Sequence, residues 1–174
     1  MKLQPILESD LVYLRPLESE DFENLYAVAS DPFIWEQHPN KDRYKREVFE
    51  TFFRGAMLSK GAFLIFDKAS EKAIGSTRFY DFDETANSIF IGYTFYARAF
   101  WGRNYNATVK KLMLDYIFSF VENVRFHVGK ENVRSRKAME KLGAKLIGEE
   151  IVAYFGEPDR VNVVYSIAKT DWKS

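Results

Sequence analysis

The tightest constraint on the fold lies between residues 88 and 128. Residues 88–96 form a run rich in aromatic and β-branched side chains, which reads as a strand. From about residue 105 to 123, Val109, Leu112, Met113, Tyr116, Ile117 and Phe120 recur at spacings of three and four, one face of an α-helix. Residues 125–128 then read as a second, short strand. A helix between two strands can join parallel neighbours in one sheet, which a tight turn cannot. The pattern therefore places one parallel pair near the middle of a sheet.

The flanking segments add other connections. Residues 11–15 read as a first strand, stopped by Pro16. Phe22, Leu25 and Tyr26 follow Ser19, Glu20 and Asp21 at helical spacing, and that helix ends before Pro32. Residues 44–58 predict a second helix that buries Val48, Phe49, Phe52, Phe53 and Met57. Residues 62–66 and 73–80 read as a hairpin across a polar turn, and residues 81–87 as a polar connection. Residues 131–142 predict a helix ended by Gly143, and residues 145–154 and 160–168 the last two strands. The order β-α-α-β-β-β-α-β-α-β-β is α+β: a mixed, mostly antiparallel sheet of six or seven strands with about four helices on its faces. No Gly/Ser/Pro-rich linker and no repeat divides the chain, so residues 1–174 read as a single domain.

Composition narrows the chemistry. The 174 residues carry 25 basic and 25 acidic side chains, so net charge points to neither a nucleic-acid nor a membrane partner. There is no cysteine, which excludes disulfides, thiolate metal sites and a thiol nucleophile. His38 and His127 stand far apart in no metal-binding spacing, so no metal is expected. The start of the chain has no long apolar run after Lys2, and no segment approaches membrane-spanning length. A soluble, cytoplasmic protein is expected. Oligomeric state is left open, because 16 Phe and 10 Tyr serve a core or an interface equally well.

Residues 98–109, between the central strand and the long helix, hold one Gly, two Asn and two Arg and no carboxylate. A loop of that make-up at a helix start presents free backbone N–H groups beside the positive end of the helix dipole, a setting suited to phosphate. Gly102 permits close approach of a ligand, Arg103 adds charge, and Asn104 and Asn106 tolerate left-handed backbone. The plainer reading is that one of the Asn residues caps the helix. Asn132 and Ser135 open the later helix three residues apart and can address one site, or serve as a cap and a solvated helix residue. Lys130, Arg134, Arg136, Lys137 and Lys141 give that helix a basic face suited to a second phosphate. Tyr80, Tyr93, Tyr96 and Tyr105 offer polar tips near the expected site, or pack with satisfied hydroxyls.

Taken together, the loop after the strand, the Asn132-x-x-Ser135 helix start and the ending Glu140-Lys141-Leu142-Gly143-Ala144 resemble the GNAT superfamily of acetyl-CoA-dependent N-acetyltransferases. Leu14-Arg15-Pro16-Leu17 and Ile91-Gly92-Tyr93 are similar to its ribosomal-protein-type (RimJ/RimL-like) branch. The resemblance spans roughly residues 10–168. It departs from the family where Trp101 opens the phosphate loop, a residue familiar in that branch. It departs again where Asn104 and Asn106 occupy small-residue positions, and where Met139 replaces an acid-acting Tyr.

The resemblance implies that residues 88–96 and 125–128 splay apart and admit the pantetheine arm beside Phe95, Tyr96 and Ala97. It implies that main-chain donors of Gly102, Arg103, Asn104, Tyr105, Asn106 and Ala107 hold the pyrophosphate. Asn132 would orient pantetheine, Lys137 would lie near the nucleotide, and Ser135 would be the general acid. Phe33, Trp35, His38, Tyr80 and Tyr93 would meet the acceptor, a primary amine on a small molecule or a protein N-terminus. The base is open among Tyr80, Asp81, Asp83, Glu149 and Glu150. Two other readings use the same anion trap: a non-catalytic acyl-CoA-binding or sensing module, and a regulator that binds small nucleotides.

Overall fold

A computed structural model describes residues 1–173. Eight strands form one sheet in the order β1-β2-β3-β4-β5-β6-β8-β7. They are β1 (Leu7–Glu8), β2 (Val12–Pro16), β3 (Ala62–Asp67), β4 (Lys72–Asp83), β5 (Ser88–Tyr96), β6 (Asn123–Gly129), β7 (Lys145–Val152) and β8 (Arg160–Ala168). The β5–β6 neighbours are parallel and every other pair is antiparallel. Four α-helices cover the faces: α1 (Phe22–Ala29), α2 (Arg46–Ser59), α3 (Tyr105–Ile117) and α4 (Val133–Leu142). This is the expected α+β architecture, with eight strands where six or seven were anticipated. The added strand is the two-residue β1, too short to leave a period in the sequence.

Strand alternation divides the core. In β3, Phe63 and Ile65 pack with α3 and β6, while Ala62 and Leu64 pack with α1 and α2 on the opposite face. Burial on both faces explains why β3 is an unbroken apolar run. In α2, Phe49, Phe52 and Phe53 of the expected stripe are buried, Val48 and Met57 are only half-buried, Ala56 is buried in their stead, and the helix stops at Lys60 in left-handed geometry.

The expected boundaries hold closely, with three differences. First, β4 runs on to Asp83 through a bulge, so residues 81–83 are strand and not a polar connection. Second, α1 is preceded by a separate 3-10 turn, Ser19–Asp21, where the Asp21 carboxylate accepts from Glu18 N–H and pairs with Arg15 at 2.8 Å. Third, α3 ends at Ile117 and not near residue 123. Ser119, Phe120 and Val121 N–H groups bond back to Tyr116 and Ile117 carbonyls, and this turn carries Val121 into the core. Phe120 is consequently exposed. The buried stripe of α3 is rotated from the expected one: Val109, Met113, Leu114 and Ile117 are fully buried, and Lys110 lies among them.

The parallel seam positions the site. Strands β5 and β6 share only three register pairs, Ser88–Asn123, Ile89–Val124 and Phe90–Arg125. Beyond Phe90 the two strands part, so the sheet is cleft from Ile91 to the end of β5.

Candidate active site

The cleft between β5 and β6 has a volume of about 660 Å³ and runs from the loop before α3 to the aromatic side of α2. At one end, Gly102 (φ +69°) and Asn104 (φ +70°) both adopt left-handed backbone. No atom crowds Gly102 within 4 Å, so glycine serves conformation there and not space. Asn104 is the N-cap of α3 but makes no side-chain cap hydrogen bond. The first intrahelical bond is Thr108 N–H to Asn104 O. Among the described residues, no backbone N–H from residue 102 to 107 therefore has an acceptor. Six donors at a helix N-terminus form a ready anion cradle.

Next to the cradle, β5 has an open edge. Ala97 N–H bonds to Ile74 O on β4, so by alternation the Tyr96 N–H and C=O face the cleft. Trp101 Nε1 donates to Tyr96 O at 2.9 Å and ties the loop to that edge. Further down, two residues of β5, Tyr93 and Thr94, oppose Thr77 alone in a bulge, and Tyr93 has φ +54°. Such backbone is costly for an aromatic residue and marks the bulge as a built feature.

Asn106, which occupies a small-residue position of the family's loop, turns inward. Its Oδ1 accepts from Tyr96 hydroxyl at 3.1 Å and from Lys110 Nζ at 3.3 Å. Lys110 Nζ also donates to Thr94 Oγ1 at 3.1 Å. It has no carboxylate partner among the described residues, and burial pulls its pKa down to about 7.

On the helix α4 wall, Asn132 Oδ1 accepts Ser135 N–H at 3.2 Å, so the expected capping role is realised, and both residues line the cleft. Lys137 and Met139 line the same wall. Arg134 reaches across from α4, with its guanidinium 3.8 Å above the Trp101 ring and one nitrogen 3.2 Å from Ile34 O.

The far end is built from side chains. Arg43, 1% exposed, gives Nε and Nη2 to the Glu157 carboxylate at 3.0–3.2 Å. Its guanidinium lies among the rings of Trp35, Phe52, Tyr93 and Tyr154. His38 Nδ1 accepts Asn40 N–H at 2.9 Å, and Arg43 Nη1 stands 3.2 Å from Nε2. Burial first, and then the Arg43 charge, hold the His38 pKa well below its ordinary value, so this ring is neutral at pH 7. On β6, His127 stacks on Phe90 at 4.0 Å, with Nδ1 2.9 Å from Tyr80 hydroxyl and Nε2 3.4 Å from Glu150. A proton on Nε2 suits Glu150 and leaves Nδ1 to accept from Tyr80. Burial lowers the His127 pKa, opposed by Glu150, and burial raises that of Tyr80.

The cleft thus gathers Trp35, His38, Tyr93, Phe95, Tyr96, Gly102, Asn104, Tyr105, Asn106, Ala107, Asn132, Ser135 and Lys137. Phe33, Tyr80, Ala97 and Arg103 stand outside its wall. Phe33 is 53% exposed beneath the Arg98 guanidinium, a solvent position that its apolar neighbours Ile34 and Trp35 did not reveal. Arg103 turns back onto Ala99 O. Tyr80 sits one layer behind, reaching the cleft through His127. Tyr105 contributes main chain only, because its hydroxyl is spent on Asp67 at 2.7 Å in the core. Arg43, Lys110 and His127 line the cleft but escaped sequence reasoning as site residues. The one available signal was Lys110, a charge next to Val109 on the apolar stripe of a long helix.

Comparison with known proteins agrees with this geometry. The acetyltransferase (GNAT) domain model matches residues 12–145. A GCN5-related N-acetyltransferase from Brucella melitensis superposes with a TM-score of 0.83 at 22% identity, over 97% of this chain and 80% of that one. Mycobacterium smegmatis RimJ, solved with CoA-disulfide, gives 0.74 at 17% over 98% and 89%. Vibrio cholerae spermidine N-acetyltransferase, solved with CoA and spermine, gives 0.70 at 18% over 94% and 98%. At such identities the structural likeness speaks for the fold alone; the domain match, which spans most of the chain, carries the assignment. The chain belongs to the GNAT family and is an acetyl-CoA-dependent N-acetyltransferase.

Proposed function

We propose that this enzyme moves the acetyl group of acetyl-CoA to a primary amine, on a small molecule or a protein N-terminus, by direct attack in a ternary complex in the cytoplasm. Among GNAT enzymes we place it in the RimJ/RimL-like branch, on the Leu14–Leu17 and Ile91–Tyr93 motifs. The observation that carries the reading is the row of six unpaired N–H groups at residues 102–107, standing where the open edge of β5 ends. A diphosphate fits that row, and a pantetheine arm can pair with the strand edge at Tyr96, between Phe95 and Ala97. Asn132 orients the arm. Lys137 and Arg134 supply positive charge toward the nucleotide.

The bulge at Tyr93 and Thr94 directs main-chain N–H toward the cleft, where it stabilises the oxyanion formed on attack. The amine nitrogen bonds to the acetyl carbon, the carbon–sulfur bond breaks, and the thiolate takes a proton from Ser135 hydroxyl. The amine must also lose a proton. We assign this to His127, which lines the cleft with Tyr80 and Glu150 behind it: its imidazole takes the proton, and Glu150 offsets the imidazolium charge. Trp35, His38 and Tyr93 form the acceptor wall.

Calorimetric titration with acetyl-CoA, followed by a thiol-release assay with an amine panel, tests the reading. Binding and amine-dependent thiol release are expected, and Ser135→Ala should lower kcat by about tenfold or more with little change in acetyl-CoA affinity. No heat with acetyl-CoA at millimolar concentration would overturn the proposal. Equal rates for wild type and Ser135→Ala would remove that hydroxyl from the mechanism.

A further inference from the structure

Arg78 on β4 is 6% exposed, and none of its nitrogens donates to any described residue. Its Nε–H is shielded from solvent and has no acceptor, and a charged donor left unmatched in that way is costly. The nearest carboxylate is already engaged: Glu157 takes three contacts from Arg43. Two buried guanidinium groups therefore share one acid. His38 adds no counter-charge: burial first, and then the Arg43 charge, hold it neutral.

The placement of Arg78 is specific. Its guanidinium carbon lies 3.7 Å from the centre of the Tyr93 ring and 5.5 Å from that of Phe52, rings that Arg43 also approaches, at 5.9 and 4.7 Å. Stacking occupies the faces of a guanidinium and leaves its in-plane N–H fork free, the geometry that grips a carboxylate or phosphate. In register, Arg78 stands opposite Gly92, immediately before the bulge. Tyr93 and Arg43 both line the cleft. Burial lowers the Arg78 pKa only to about 10, so it is cationic at neutral pH.

We propose that Arg78, backed by Arg43, is an oxyanion-binding site beside the transfer centre, and that the acceptor is a small amine bearing a carboxylate or phosphate close to its amino group. The inference rests on the acetyl-transfer reading above and names its acceptor class. It also predicts that polyamines are poor acceptors, because their charges would enter among Arg43, Arg78 and Arg134.

The test compares matched acceptors in the thiol-release assay: phenylalanine, phenethylamine, the phosphonate analogue of phenylalanine, alanine, ethylamine and spermidine. The acid-bearing member of each pair should exceed its neutral twin by about a hundredfold in kcat/KM. Carboxylate against phosphonate distinguishes the two oxyanions. Arg78→Met should abolish the preference by raising KM for the acid-bearing acceptor while leaving KM for acetyl-CoA unchanged, and Arg78→Lys should restore part of it. Neutral twins or spermidine used as well as the acids would overturn the proposal, as would a peptide N-terminus preferred to every free amino acid. If Arg78→Met does not fold, the wild-type ranking decides. If acetyl-CoA binds but no amine is acetylated, the transfer reading fails separately. The anion site is then read from the rise in Tm on adding phenylalanine, and no rise beyond that given by phenethylamine overturns it.

Discussion

The two ends of the cleft recognise ligands by different means. At the α3 end, unpaired main-chain donors of residues 102–107 face the cleft, while nearby side chains are turned away: Arg103 to Ala99, Asn106 to Lys110, Tyr105 to Asp67. At the α2 end, buried side chains from distant segments meet: Trp35, Arg43, Arg78, Tyr93, Tyr154 and Glu157. Main-chain recognition depends on local backbone shape and tolerates exchange of side chains. Side-chain recognition depends on the packed core and does not. The donor end is thus suited to an invariant cofactor, and the acceptor end to a chosen substrate.

Substitutions at the two ends should differ accordingly. The largest effect is expected at Arg43. Arg43→Ala removes the partner of the mostly buried Glu157 carboxylate and should lower stability by about 3–5 kcal/mol, measured by urea denaturation at pH 7. A loss under about 1 kcal/mol would show that the acceptor end is not held by its ion pair.

Lys110, between the two ends, sharpens the contrast through pH. It loses its proton near pH 7 when folded, against 10.5 ordinarily, so across that interval the unfolded chain binds the extra proton. Stability from this group therefore rises with pH from about 7 to 10, and the full penalty applies below pH 7. Lys110→Met should flatten that slope and stabilise the protein by a few kcal/mol (roughly) at neutral pH. An unchanged slope in denaturation midpoints would mean that Lys110 is solvated when folded.

The smallest effects belong to the donor loop. Gly102→Ala forces a Cβ into left-handed backbone and should cost roughly 1–2 kcal/mol in acetyl-CoA binding or loop stability. Arg103→Ala, which keeps every main-chain donor, should change acetyl-CoA affinity by less than about threefold. A large loss with Arg103→Ala would break the main-chain account.

The same contrast explains what the sequence made legible. The parallel seam, the loop at the start of α3, the Asn132 cap and the Gly143 stop are local patterns, and each stands where the spacing placed it. Hydrophobic periods located α1, α2 and α3, and the Gly143 stop marked α4. The acceptor end is nonlocal: Arg43 meets Glu157 across 114 positions, and nothing near either residue announces the other. Lys110 was missed because helical spacing alone leaves the rotation of α3 open, and Phe120 was misplaced because α3 ends before it. Tyr93 could not be recognised as a bulge because its neighbours alternate like any strand.

The three rungs that join β5 to β6 also fix how deep a ligand can reach. Each further rung would zip the strands by about 3.3 Å and fill the notch with protein hydrogen bonds, leaving no strand edge for an arm to borrow. The working space of this enzyme is thus secondary structure withheld: an incomplete ladder whose missing steps a guest molecule supplies.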